Sequence, residues 1–314
     1  VQGIMYHGWG SLVKAEHGGY RFTNPQTAEV LSGLIRDVVE PLGPTLLAVP
    51  DRRADVALLE SFASHVFAGR GTFGWGHKWE ADAHLVLQWA QLQPEIVYEE
   101  TILRDGLGAF KVLVLPGCEV LPRGVVARIE AFQRKGGIVV GDEFLCPAIC
   151  PDIVVPSYAR TGAPDKDKAE LQRRAAALRE ELDPFYVRFA ESDNPDVVLR
   201  CRRAGEGDYI FAINDRRGFG DYVGQHRKVM ERGLPAKARV TVRRAGAIAY
   251  DLLSRGEVAT ATAGGGVSFD VSLGPGEGRV FLMLPRRIEA VRVEVKPTVS
   301  LGGQAGIRAV VTGG

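Results

Sequence analysis

The sequence predicts an α/β region followed by an all-β one: a flavodoxin-like, three-layer parallel sheet, then a β-sandwich, with a remnant of a barrel βα unit at the N-terminus. Three observations predict it. Between residues 55 and 141 aliphatic runs and helical patterns alternate as β-α-β-α-β-α-β, the order that builds a parallel, doubly wound sheet. From residue 195 to 287 the apolar period is two almost throughout, in six short runs divided by Gly, Asp, Asn and Pro turns. At the start, a strand-like run (Gly3 to Leu12), a polar Gly-rich loop and a helical pattern follow one another as in the last βα unit of a (β/α)₈ barrel, whose strand ends face an active site.

Composition sets the outer limits. The chain has 314 residues, 46% hydrophobic and 25% charged, with a formal net charge of +1, enough apolar material for about two domains. Up to residue 150 there are 13 basic against 17 acidic residues, and 26 against 21 afterwards. That split is too mild to build the positive field that a nucleic acid requires. No apolar run approaches the roughly 18 to 20 residues needed to cross a bilayer, and the opening residues lack a basic n-region and a long apolar core. A soluble chain is expected, in a bacterial cytoplasm or exported by a signal outside these residues. Four cysteines cannot form a disulfide framework, and no Cys or His pair has zinc-ligand spacing, so no metal and no cofactor are expected. Cys146 and Cys150 have the spacing to bridge, but buried free thiols are the simpler expectation.

The elements follow in order. Asn24-Pro25 starts a helix, Asn as cap and Pro at its first position, and Leu31, Leu34, Ile35, Val38 and Leu42 give it an apolar face up to Pro41 and Gly43-Pro44. Asp55 to Glu60 reads as a buried strand, Leu85, Trp89 and Leu92 as a helix face, and Glu95 to Glu100 as a second strand. Lys111 to Pro116 carries four consecutive aliphatics, as a central strand covered on both faces should. Pro122 opens a helix bearing Val125, Ile129 and Phe132, which Gly136-Gly137 stops with a left-handed cap. Ile138 to Gly141 is the fourth strand. Residues 165 to 183 form a polar helix with an Asp167/Glu170 capping box and a stripe of Leu171, Leu178 and Leu182. The tail, with strands at Ala290 to Val295 and Ile307 to Val311, reads as the opening of a further β-domain, because two strands cannot bury a core. The expected divisions are 1–48 (last βα unit of a barrel), 49–160 (flavodoxin-like), 161–194 (linker helix), 195–287 (sandwich) and 288–314 (start of a further β-domain). With a strand lacking any partner at one end and an unfinished domain at the other, the chain reads as a piece of a longer protein.

Ligands of open parallel sheets bind beyond the strand C-termini, so the candidates there are Glu60-Ser61, Glu99-Glu100, Gly117-Cys118-Glu119 and Gly141-Asp142-Glu143. Their carboxylates suit acid/base work and suit the positive ends of helices equally well. Cys118 stands where a nucleophile elbow would put a thiol, but such a turn needs small residues on both sides and Glu119 is not small. No His lies between His84 and His226 to act as its base. Phosphate-cradling Gly patterns are absent. Trp75 and Trp79, in the Gly-Trp-Gly-His-Lys-Trp stretch, offer aromatic faces for a sugar ring or a subunit contact, or simple loop packing. His7 and Trp9 end the opening strand.

In this order, residues 1 to about 287 resemble the C-terminal part of trimer-forming, β-galactosidase-like glycoside hydrolases. The resemblance is carried by GIMYHGWGSL (3–12), VVEPLGP (38–44), DVALLESFAS (55–64), EIVYEETILRDGLGAFKVLVLPGCEVLP (95–122) and IEAFQRKGGIVVGDE (129–143). It implies a flavodoxin-like trimerisation domain related to class I glutamine amidotransferases but lacking their nucleophile, then a small β-domain. It also implies a carbohydrate partner by way of the parent enzyme, and a homo-oligomer of three subunits. Retaining glycosidases need two carboxylates about 5 to 5.5 Å apart, which the family carries near the ends of the fourth and seventh barrel strands. A barrel takes roughly 250 residues, so no catalytic residue is carried over. The resemblance makes Trp9 and His7 substrate-lining candidates, beside Trp75 and Trp79, which the aromatic stretch itself suggests. The expected function is that of a non-catalytic C-terminal region serving oligomerisation and active-site shaping. The alternatives are a carbohydrate-binding or scaffolding module and a Cys118-dependent hydrolase.

Overall fold

The four aliphatic runs of the first half lie side by side in one parallel sheet. The computed structural model describes residues 25–68, 79–223, 228–295, 298, 302 and 306–313. β1 (Val56–Leu59), β2 (Glu95–Val97), β3 (Val112–Leu115), β4 (Ile138–Gly141) and β5 (Ile153–Val154) are ordered β2-β1-β3-β4-β5, every pair parallel. That is the flavodoxin-like order. Alternate side chains of each strand serve opposite faces. Val56, Leu58, Val112, Val114 and Val140 join one core cluster, and Ala57, Leu59, Leu113, Leu115 and Val139 join another.

The helices cover both faces. α1 (Pro25–Leu34) runs through a wider, π-helical turn (Ile35–Val39) into α2 (Glu40–Ala48). α3 (Phe62–Phe67), α4 (Trp79–Trp89), α5 (Glu99–Asp105), α6 (Arg123–Arg134) and α7 (Pro164–Leu182) follow. Val125, Ile129 and Phe132 are buried on α6 as expected, and Gly136, at φ +87°, ends the helical path after it. A Cβ on Gly137 would meet the Phe132 ring at 2.4 Å, so that position needs glycine for space. α4 buries Trp79, Ala83, Val86, Leu87 and Trp89 in the same cluster as Leu171, Ala175, Leu178 and Leu182 of α7. The predicted linker helix is thus also a layer over the sheet.

Four local expectations are corrected. The first helix does not end near Pro41 and Gly43-Pro44: a wide turn before Pro41, with Glu40 N–H bonding to Ile35 O, changes register, and the helical path continues past Pro44 to Ala48. The strand expected over Glu95 to Glu100 stops at Val97, because Glu99 and Glu100 form the acidic first turn of α5. The Asp167/Glu170 capping box is not formed. Asp167 instead accepts from Thr161 N (2.8 Å), Gly162 N (3.1 Å) and Tyr158 OH (2.8 Å), tying down the turn ahead of α7, while Glu170 pairs with Arg173 and Arg174. The four cysteines are free thiols, but only Cys118 and Cys201 are buried; Cys146 is half-buried and Cys150 exposed.

All six predicted sandwich strands are present, with others between them. β6 (Ala190–Ser192), β7 (Val197–Ala204), β8 (Gly207–Asn214), β9 (Arg217–Val223), β10 (Lys228–Gly233), β11 (Ala236–Val242), β12 (Ile248–Asp251), β13 (Gly256–Val258), β14 (Ala261–Ala263), β15 (Gly266–Leu273) and β16 (Gly278–Leu284) follow in chain order. A four-stranded sheet, β14-β15-β11-β6, and a five-stranded one, β13-β12-β16-β8-β7, enclose a core that includes Ile210, Val240, Val242, Phe269, Phe281 and Met283. β9 and β10 pair as a separate hairpin. The two strands that the tail pattern predicts are present as β17 (Ile288–Val295) and β18 (Ile307–Gly313), and they pair antiparallel.

Backbone bonds tie the two regions together. Arg52 N donates to Cys201 O (3.2 Å) and Arg203 N to Pro50 O (3.1 Å), while Cys201 N donates to the Gln93 side chain (2.9 Å) and Ser192 N to that of Gln91 (3.2 Å). Among the described residues no helix is long and apolar enough to cross a membrane.

Candidate functional site

Strands β1 to β4 all end on the same side of the sheet, and each ends in polar residues. Two buried networks hold Glu99 and Asp142 there. After β2, the Glu99 carboxylate, 5% exposed, accepts from Ser61 Oγ (2.7 Å), Phe62 N (3.0 Å) and Ala63 N (3.1 Å), binding the loop after β1 and the start of α3. Ser64 Oγ extends this network to the loop after β3 by donating to Val120 O (2.8 Å) and accepting from Val120 N (3.1 Å).

After β4, the Asp142 carboxylate accepts from Gly117 N (2.6 Å) and Trp79 Nε1 (2.7 Å) on one oxygen and from Phe144 N (2.9 Å) on the other. Glu60 pairs with His65 at 2.7 Å. Glu143 accepts from the Ser157 hydroxyl (2.6 Å) and amide (2.9 Å), bonds that outweigh partial burial and hold its carboxyl below the usual range.

These carboxylates therefore act as acceptors for backbone and side-chain donors of neighbouring loops. Of these carboxylates Asp142 also borders a core cavity of about 20 Å³ between Trp79, Val114, Val140 and Leu178, hardly more than one water requires.

The predicted site residues fall as follows. His7, Trp9 and Trp75 lie outside the described residues. Trp79 is 7% exposed and belongs to the core cluster over the sheet, its indole N–H on Asp142, so its ring is turned to packing rather than to a sugar or a second subunit. Cys118 is wholly buried, its thiol 3.6 Å from Pro116 O. The left-handed position of that turn is taken by Gly117 at φ +59°, not by the cysteine. A nucleophile elbow holds its reacting residue on the strained turn, open to substrate. Here a glycine takes the left-handed position without strain, and the sulfur points inward. Thiol labelling of the native chain is expected to modify Cys150 first, with Cys118 and Cys201 reacting only after denaturation. Fast labelling of Cys118, located by peptide mapping, would contradict that burial.

The larger opening is at the other end of the sheet, where no sequence motif pointed. A cleft of about 580 Å³ runs between the segments that lead into β1 and β2, the connection from α7 to β6, and β7. Its lining includes Asp51, Arg52, Arg53, Asp55, His84, Glu95, Arg188 and Arg200, residues from both halves of the chain. Asp51 bonds Arg200 (2.9 Å) and Arg202 (3.1 Å); despite partial burial, which opposes ionisation, those two cations keep its carboxyl below the usual range. Asp55 accepts from Tyr186 OH (2.6 Å) and faces Lys111. Burial, then the Asp55 bond, raises the Tyr186 phenol well above its ordinary value. Burial also pushes the Cys201 thiol up to about 11. His84 is held below the ordinary imidazole value, first by burial and then by the Arg200 charge. The signal in the sequence that could have pointed there is the Asp51-Arg52-Arg53 triplet ahead of β1. Among the described residues no group of three His, Cys, Asp or Glu side chains is placed to hold a metal ion.

With this geometry in place, comparison with solved structures is informative about architecture. No protein-family model and no curated protein matches the chain. An α-L-fucosidase isoenzyme from Paenibacillus thiaminolyticus matches 84% of this chain and 53% of its own, at a TM-score of 0.58 and 14% identity. The fold is shared with part of a glycoside hydrolase. A cold-adapted β-galactosidase from Rahnella sp. R3 matches over 83% of this chain and 45% of its own, at TM-score 0.52 and 12% identity. A catalytic mutant of a GH42 β-galactosidase from G. stearothermophilus matches over 84% and 46%, at TM-score 0.51 and 14% identity. The chain spans about half the length of these enzymes, and the likeness is one of fold.

Proposed function

We propose that this chain is the non-catalytic C-terminal region of a larger glycoside hydrolase, where it serves oligomerisation and the shaping of a carbohydrate-binding active site. One observation carries the reading: at the strand ends Glu99 and Asp142 are buried and held by neighbouring donors, and Glu60 and Glu143 are bonded to His65 and Ser157. Hydrolysis of a glycosidic bond needs two carboxylates flanking a sugar-sized space. In the roomy cleft at the opposite end, Asp51 and Asp55 are committed to Arg200, Arg202 and Tyr186, which leaves Glu95 without a second free acid. The solved enzymes that share the fold are named as a fucosidase and β-galactosidases and are about twice as long, which supports a parent enzyme whose chemistry lies in other residues. The resemblance to trimer-forming members supports a threefold assembly.

The chain of residues 1–314 is expected to leave nitrophenyl galactosides and fucosides intact and to sediment as a trimer. Turnover that persists through purification controls would overturn the non-catalytic role. A monomer at all accessible concentrations would overturn the oligomerisation role.

A further inference from the structure

We propose that the cleft between the two halves of the chain binds a small oxyanion, a carboxylate, sulfate or phosphate group, held by Arg52 and Arg53. The volume, about 580 Å³, is that of a small-ligand site. Four guanidinium groups line it, and they are not equivalent. Arg200 is taken by Asp51, and Arg188 by Asp183 and the carbonyl of Ala90. Arg52 and Arg53 have no carboxylate partner among the described residues.

Arg52 is the better placed of the two. It is half-buried, its guanidinium lies 3.9 Å from the centre of the Phe189 ring, and its buried Nε has no hydrogen-bond acceptor. The ring contact holds the guanidinium in place at the cleft wall, and a guanidinium without a carboxylate partner can grip an oxyanion through two parallel bonds. Arg188, 4% exposed, leaves Nη2 unpartnered in the same wall. Burying guanidinium nitrogens without acceptors is costly, and an anion in the cleft would relieve the cost by neutralising the local charge. Opposing charge is mostly spent: Asp51 and Asp55 have their own partners, and Glu95 is exposed.

This site is independent of the glycosidase reading, since it uses only groups on the cleft walls and its readout is binding. The test is titration of the chain of residues 1–314 with sodium sulfate, sodium phosphate and sodium glucuronate, against sodium chloride at matched ionic strength and against glucose. Calorimetry and the unfolding midpoint are the readouts. At least one oxyanion is expected to bind saturably where chloride and glucose do not. Response to glucuronate alone assigns a carboxylate ligand; response to sulfate or phosphate assigns a tetrahedral one. Arg52→Gln is expected to weaken that binding about tenfold or more and Arg53→Gln severalfold. Should Arg52→Gln fail to fold, the exposed Arg53→Gln variant decides. Absence of saturable binding by all three oxyanions, or affinities unchanged by these substitutions, would overturn the proposal.

Discussion

Replacing Asp142 by alanine is expected to remove about 3 to 5 kcal/mol of stability, read as a lower urea midpoint at unchanged slope. The carboxylate is 5% exposed and accepts from three donors that reach it from three parts of the chain: Trp79 at the start of α4, Gly117 after β3 and Phe144 after β4. Hydrogen bonds to a charged group contribute about 1.5 to 3 kcal/mol each, but the three share one acceptor, so their losses do not add. What alanine leaves behind is a buried indole N–H and a backbone N–H with nothing to accept them. Asp142→Asn keeps one acceptor oxygen and should fall between alanine and the parent. A change below about 1 kcal/mol in Asp142→Ala would mean that water or a loop shift satisfies these donors, and the networks at the strand ends would then not be the structural ties described above.

Leu178→Ala should cost about 2 to 5 kcal/mol, the range for emptying a well-packed aliphatic site. Leu178 is 2% exposed and lies on α7, in one cluster with Val86 and Leu87 of α4 and with Val114 and Val140 of the sheet. A helix that only tethered two domains would tolerate alanine there almost without loss. The control is Leu103→Ala on α5, 43% exposed, which should stay within about 0.5 kcal/mol of the parent. Equal effects of the two substitutions would remove α7 from the core of the α/β region.

Legibility in the sequence followed the physics of burial. β1, β3 and β4 are covered on both faces, so nearly every side chain is aliphatic and the runs stand out; the sandwich strands are covered on one face and alternate. β5 is two residues long and β6 three, too short for any period, and β9 with its Gly-rich, polar Arg217–Val223 stretch carries no alternation. The first helix was cut short because proline is a strong local stop signal, and the wide turn that lets α1 run on into α2 has no sequence signature. At the strand ends the residue types were plain, but a glutamate that caps a helix and one that serves as an acid are the same letter. Their roles became visible only with their partners: Ser61 and Glu99 meet across 38 positions, Trp79 and Asp142 across 63.

What the sequence by itself determined was the succession of elements and the side each turns to the core, because periodicity is a local property written residue by residue. The tertiary structure alone decided that Glu99 and Asp142 at the strand ends are buried among donors of neighbouring loops, that the thiol of Cys118 points inward, and that an arginine-lined cleft opens at the opposite end. The physical reason is that a cavity or a hydrogen bond between distant segments depends on how the crossovers bring Arg52 beside Phe189 and Arg200 beside Asp51, separations of more than a hundred residues that no neighbouring pattern records.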